Sequence, residues 1–231
     1  MTEAGRGRGV PGWLTALARA AAGLQVPAAL QVPVGLQPGP GGRPAAVLIL
    51  FGSGPSGPDL LLVPRGPRLR RHAGQPAFPG GAIDPSDRGP VQAALREAAE
   101  EARVDPSGVQ VLAVLPDLFI PRSGFTVTPV LAWWRQPGPV GPGDPVEVTA
   151  VARVAVAELA DPAHRLTIRL PASGTAGPAF RVGGMLVWGF TAMVIDRLLA
   201  LGGWEVPWDA SRAEDLPAEM LMAAGGQEPV P

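Results

Sequence analysis

The spacing of apolar positions marks out strands and helices before any residue is assigned a chemical role. AAVLILF (45–51) and DLLLV (59–63) are short apolar runs separated by the turn-rich GSGPSGP, which predicts a β-hairpin. Further strands are predicted over Val109 to Leu115, Phe125 to Trp134 and Val148 to Val154, with a less regular one over Leu166 to Leu170. Helical periodicity predicts a short amphipathic helix from Trp13 to Leu24, and the following LQVPVGLQPGPGGRP has too many Pro and Gly residues for regular structure. Gly89 and Pro90 open a second helix that runs to about Arg103, because Pro is favoured where its missing N–H is not needed. Met185 to Leu201 reads as a third. From residue 210 the mixture of small, acidic and helix-breaking residues predicts a tail without order apart from one helical turn, and no internal repeat is visible.

Composition narrows the class. A hydrophobic fraction of 46% is ample for a buried core, and the absence of Cys removes disulfides, thiolate metal sites and a cysteine nucleophile. That absence fits a reducing cytoplasm. A net charge of −1 argues against a nucleic-acid or membrane-surface partner, since both need a basic excess. Every basic side chain is Arg, so an isolated Arg carries little weight. Arg6 and Arg8 are not followed by an uninterrupted apolar run, so no signal peptide is expected, and Met185 to Ile195 is too short to span a bilayer.

At about 100° per residue, Val91, Ala94, Leu95, Ala98 and Ala102 fall within one arc of the second helix, while Glu97, Glu100 and Glu101 share another side and face outward. Like charges at this spacing cost a few tenths of a kcal/mol even on an exposed helix. Two readings follow. In one, the face is solvated and Arg96 and Arg103 act as partial counter-ions; in the other, it binds a hard divalent cation through carboxylate oxygens.

Order and spacing then meet a known pattern. Gly81, five residues, Asp87, eight residues and Arg96-Glu97-Ala98-Ala99-Glu100-Glu101 resembles the Nudix box of the Nudix hydrolases. The resemblance implies an α/β (α+β) fold, an αβα sandwich with a mixed sheet between helices. It implies Mg²⁺ or Mn²⁺ held by Glu97, Glu100 and Glu101, with Arg96 orienting the carboxylates. Asp87 stands where the general pattern has Glu, after which the spacer is one residue longer. Arg103 replaces the usual Gly after the helix, where a left-handed cap costs a non-Gly residue about 1 kcal/mol, so a different ending is expected.

Upstream, LLLVPRGPRLRRHAGQPAFPGG crowds Arg65, Arg68, Arg70, Arg71 and His72 beside this helix. A solvated loop is the plain reading; guanidinium groups placed to fork onto phosphate oxygens are the other. The stretch resembles the extended motif of the coenzyme A diphosphatase branch, LL-x-x-R, L-R-x-H-x-G-Q and F-P-G-G. That resemblance implies substrate contacts from the Arg residues, His72, Gln75, Phe78, Gly80 and Gly81. Pro64, Gly66 and Pro76 depart from it. His72 can equally be a hydrogen-bonding residue at the loop base, and Phe78 favours packing over stacking on adenine. GMLVWGFTAMVIDRLL (184–199) looks like the branch's late helix.

The division implied is an N-terminal extension over 1–42, a Nudix domain over 43–209 and a loose tail over 210–231. The expected reaction is metal-dependent hydrolysis of the diphosphate of coenzyme A or its thioesters. Alternatives are another nucleoside diphosphate derivative, such as ADP-ribose, a dinucleotide or an oxidised nucleotide, and a non-catalytic binding module, against which the intact REAAEE argues. A monomer and a homodimer are both compatible with it. Glu147, opening EVTAVARVAVAEL, resembles the Glu that often serves as base or metal ligand before the last major strand; an exposed strand-end Glu is the alternative. Glu158 is expected to be structural, and His164 receives no role.

Overall fold

The computed structural model describes residues 9–23, 42–66, 74–121, 123–144, 148–170 and 174–223. Its central sheet grows from the predicted hairpin: β1 (Arg43–Gly54) and β2 (Gly57–Pro64) pair antiparallel, closing at Gly54 and Gly57. β1 also pairs in parallel with β7 (Phe125–Trp134), and β5 (Val109–Val114) lies antiparallel on the far side of β7. The main path runs β3 (Pro76–Ala77), β2, β1, β7, β5. Three short strands join at its ends: β4 (Gly80–Ala82) on β1, β6 (Leu118–Ile120) on β7 and β8 (Ala152–Ala155) on β2.

Alternation along these strands sends apolar side chains to both faces, which is why they read as continuous apolar runs. Ala46, Leu48 and Leu50 of β1, with Leu61, Val63, Val130, Ala132 and Trp134, meet helix α2 (Pro90–Ala102) through Ala93, Ala94, Ala98 and Ala102. On the opposite face, Ile49, Phe51, Leu60, Leu62, Leu131 and Trp133 pack with helix α1 (Gly12–Ala22) and helix α4 (Gly189–Gly202). The αβα sandwich expected from the sequence is the observed architecture.

Elsewhere the fold departs from the pattern reading. α1, in the N-terminal extension, packs into the main core, where Leu14 and Leu17 are fully buried. Of the predicted 148–154 strand only Ala152 to Val154 pair as one, within β8, which ends at Ala155, while Val148 makes an isolated bridge to Arg65. A short helix, α3 (Val156–Ala160), follows β8. The apolar run from Met185 begins as a strand, β11 (Met185–Val187), turned by Gly183 and Gly184 onto β10 (Thr175–Val182). With β9 (Arg165–Leu170) and β12 (Ala213–Asp215) these form a second, four-stranded sheet. β12 and helix α5 (Ala218–Ala223) correct the expectation of a loose tail as far as residue 223, because Leu216 and Leu221 bury against Leu166, Ile168 and Trp188. No helix among the described residues is long and apolar enough to cross a membrane.

Candidate active site

Helix α2 starts as expected, with Gly89 at φ 126° and Pro90 in the first helical position. Its ending corrects the sequence reading. Arg103 adopts the left-handed conformation (φ 57°, ψ 30°) that was expected to be avoided. Compensation comes from around it: Arg103 N–H donates to the Ala99 carbonyl (3.1 Å), Val104 N–H to that of Ala98 (3.2 Å), and Val104 is buried in the core. Gly141 and Gly143 donate to the carbonyls of Ala102 (3.2 Å) and Glu101 (3.0 Å), so the helix end does not leave them unsatisfied.

The acidic side is less uniform than periodicity implies. Glu100 projects outward, its side chain 58% exposed, whereas that of Glu97 is 16% exposed. Glu101, expected outside, is buried at 8% and accepts a hydrogen bond from the Gly80 N–H (3.0 Å). A buried carboxylate requires such a donor. Gly80 can supply it because β4 lies flat on β1; a Cβ there would stand 2.7 Å from the Val47 Cα. One on Gly81 would come within 2.5 Å of Glu97 Oε1, so the Gly-Gly pair brings the β4 backbone directly against the carboxylates.

Arg96 organises the rest. Its Nε and Nη2 grip the two Asp87 oxygens (3.2 and 3.0 Å), Nη1 donates to Glu97 Oε1 (2.9 Å) and Glu100 Oε2 (3.0 Å), and Nη2 reaches the Ala82 carbonyl (3.3 Å). The fork to Asp87 holds that carboxyl below the usual range, and the same contacts, Asp87 foremost, keep Arg96 protonated. Asp84 is lowered too, through hydrogen bonds from the Ser86 backbone and hydroxyl. The Asp87 clamp and the Gly80 donor are the parts of the site that sequence reasoning missed. The nine-residue interval to Arg96 was visible, but not that the shorter acid reaches it.

Among the described residues no three Asp, Glu or His side chains form a group that could hold a metal ion as they stand. Glu97 and Glu100 turn to Arg96 and Glu101 to Gly80. The donor set is nevertheless wholly hard oxygen, with three carboxylates within five positions, and this chemistry suits Mg²⁺ or Mn²⁺.

Other candidates are dispersed. Arg65 sits at the neck of the Arg-rich stretch, its N–H donating to the Gln75 carbonyl (3.2 Å) and its carbonyl accepting from Gly74 (2.8 Å). Gln75 Nε2 donates to the Trp188 carbonyl (3.4 Å), tying that neck to the start of α4. Phe78 is 3% exposed within the main core, a packing position rather than a stacking surface. Arg68, Arg70, Arg71, His72 and Glu147 lie outside the described residues. Glu158 accepts from the Gly183 N–H (3.0 Å), and the His164 ring pairs with the Glu158 carbonyl (3.0 Å), both structural contacts.

Residues 42–170, spanning the main sheet and α2, match the NUDIX domain family. The chain belongs to the Nudix family. Over 89 residues it is 55% identical to the Nudix hydrolase NudL of Pectobacterium atrosepticum, a match covering 38% of this chain and 45% of that one. With NudL of Klebsiella aerogenes it shares 52% identity over 89 residues, 38% of this chain and 72% of that relative. The chain thus spans about half the length of most of these curated relatives, which are described as uncharacterized. Among solved structures, the Nudix hydrolase RenU of M. smegmatis superposes with a TM-score of 0.50 at 22% identity, covering 72% of this chain and 89% of that one, a likeness of fold. Nudix hydrolases generally use divalent metal ions such as Mg²⁺ or Mn²⁺.

Proposed function

We propose that the protein is a divalent-metal-dependent hydrolase that cleaves the diphosphate of coenzyme A or its thioesters, releasing adenosine 3′,5′-bisphosphate and a phosphopantetheine. The observation that carries this reading is the Arg96 hub, which gathers Glu97 and Glu100 beside the Gly80-Gly81 strand and the buried Glu101. The Arg-rich stretch that precedes this strand supports the choice of substrate, because coenzyme A carries an outer 3′-phosphate in addition to its diphosphate.

Glu97, Glu100 and Glu101 would hold the metal. When bound, Mg²⁺ or Mn²⁺ neutralises diphosphate charge and lowers the pKa of a water. Arg96, fixed by Asp87, sets the directions of Glu97 and Glu100. Glu147 takes the proton of the attacking water, whose oxygen bonds to phosphorus as the bridging P–O bond breaks. Arg65, Arg68, Arg70 and Arg71 bind the outer phosphate, His72 is a further substrate contact, and Gln75 is tied to the start of α4. The Cys-free composition supports a cytoplasmic setting.

Turnover of a panel of diphosphates with Mg²⁺ and with Mn²⁺, products identified by mass, tests the reaction. Coenzyme A and its thioesters are expected to turn over, and excess chelator to stop them. Arg70→Ala should weaken use of coenzyme A more than that of dephospho-coenzyme A, which lacks the outer phosphate. Turnover confined to ADP-ribose, dinucleotides or oxidised nucleotides would reassign the substrate, and no turnover across the panel would make the domain a binding module.

A further inference from the structure

Between β7 and β8 the chain passes through RQPGPVGPGD (135–144), a segment that supplies no side chain to the proposed mechanism. Its backbone nevertheless closes on the carboxylate helix. Besides the hydrogen bonds from Gly141 to Ala102 and from Gly143 to Glu101, the Gly143 Cα lies flat against the last turn of α2. A Cβ built there would overlap the Glu100 carbonyl oxygen and stand 2.7 Å from the Glu100 carbonyl carbon and 3.5 Å from that of Glu101. These are backbone atoms, so no side-chain rotation relieves the overlap. Gly143 does not have a positive φ, and its requirement is therefore one of space alone. Gly138 and Gly141, in the same segment, have open space where a Cβ would stand.

Its last residue, Asp144, is tied to a chain stretch that meets the end of β2. The Asp144 carbonyl accepts from the Val148 N–H (2.9 Å), Val148 bridges to Arg65, and Thr149 N–H donates to the Pro64 carbonyl (3.2 Å). Contacts at Glu100 to Ala102 and at Pro64 to Arg65 thus lie a few residues apart along one stretch of chain. The fully buried apolar positions of α2 are all alanine, with Val91 and Leu95 partly buried beside them, so the helix interlocks little with the sheet at its centre and contacts at its end help to decide where it stands.

We infer that Gly143 is a positioning residue for the carboxylates of α2: its missing side chain sets how closely the 135–144 segment clasps the helix end, and through it where Glu100 and Glu101 stand. The inference rests on the metal-dependent reading above.

Gly143→Ala, Gly138→Ala and the unaltered protein are compared by calorimetric titration with Mn²⁺ in the absence of substrate, by kcat and KM at saturating Mn²⁺, and by thermal melting. Gly143→Ala is expected to bind Mn²⁺ about 10–100-fold more weakly and to lose about 10²-fold in kcat, with KM little changed. Gly138→Ala should match the unaltered protein in all three. Unaltered Mn²⁺ affinity and kcat in Gly143→Ala, measured below its melting temperature, overturn the inference even if that temperature falls. Should the variant not fold, amide exchange in the unaltered protein decides: Mg²⁺ should slow exchange at Gly143, and no change at saturating Mg²⁺ counts against the coupling. A native protein that neither binds Mn²⁺ nor hydrolyses any diphosphate removes the underlying reading instead, and is recognised before any variant is compared.

Discussion

A single guanidinium settles the electrostatics of the acidic helix. Arg96 touches Asp87, Glu97 and Glu100, and the forked contact with Asp87 is the one that fixes its plane. The Asp87 carboxyl is depressed relative to its ordinary value of 3.8 by that contact, so its stabilising effect is present above this pH and is lost as pH falls through the lower folded value. Asp87→Asn is accordingly expected to melt at a lower temperature than the unaltered protein near neutrality, the gap narrowing in acid below 3.8. Melts across a pH series check this, and a gap that stays constant into acid would detach the effect from the ion pair. At this scale the identities of the acidic residues were legible and their surroundings were not. Periodicity gives the direction of Glu101 around the helix axis, but its burial depends on β4, which only the tertiary fold brings over it.

Whole elements were most readable where both faces of a strand are covered. β7 was predicted from Phe125 to Trp134 and is observed with those ends, because ten residues of mostly apolar, β-branched and aromatic character satisfy both cores at once. β10 was missed: TAGPAFRV carries Gly177 and Pro178 and gains its strand character from pairing with β9 and β11. Composition says little about such borrowed structure. The C-terminus of α2 is a different case, because the steric argument was sound and the surroundings outweighed it. Arg103 still bears the cost of its left-handed backbone, so Arg103→Gly should raise stability by up to about 1 kcal/mol, read as a higher denaturant midpoint at unchanged slope. A loss of stability would mean that the Arg103 side chain contributes more than its backbone costs.

Across the whole molecule, the described parts of the two terminal segments, α1 and residues 213–223, pack into apolar clusters. α1 was legible as an amphipathic helix, yet nothing in its pattern names its partner across the Pro/Gly connection; Leu14 and Leu17 share one buried cluster with α4 and the sheet. Leu17→Ala should therefore cost about 2–5 kcal/mol, measured by denaturant titration, and a cost below about 0.5 kcal/mol would mean that α1 adds little to the core. The two faces of the sheet also differ in what they allow to change over generations. On the α1 and α4 side, large aliphatic side chains can be exchanged for one another with modest repacking. On the α2 side the fully buried positions are Ala93, Ala94, Ala98 and Ala102, beside the partly buried Val91 and Leu95, and most replacements at the four alanines are larger and would lift the acidic residues from their places. Heritable variation reaches that helix only in jumps. The connecting segments accept insertions at slowly rising entropic cost, so a lineage descended from this chain is freer to drift in the lengths of its loops than in the seat of its acidic helix.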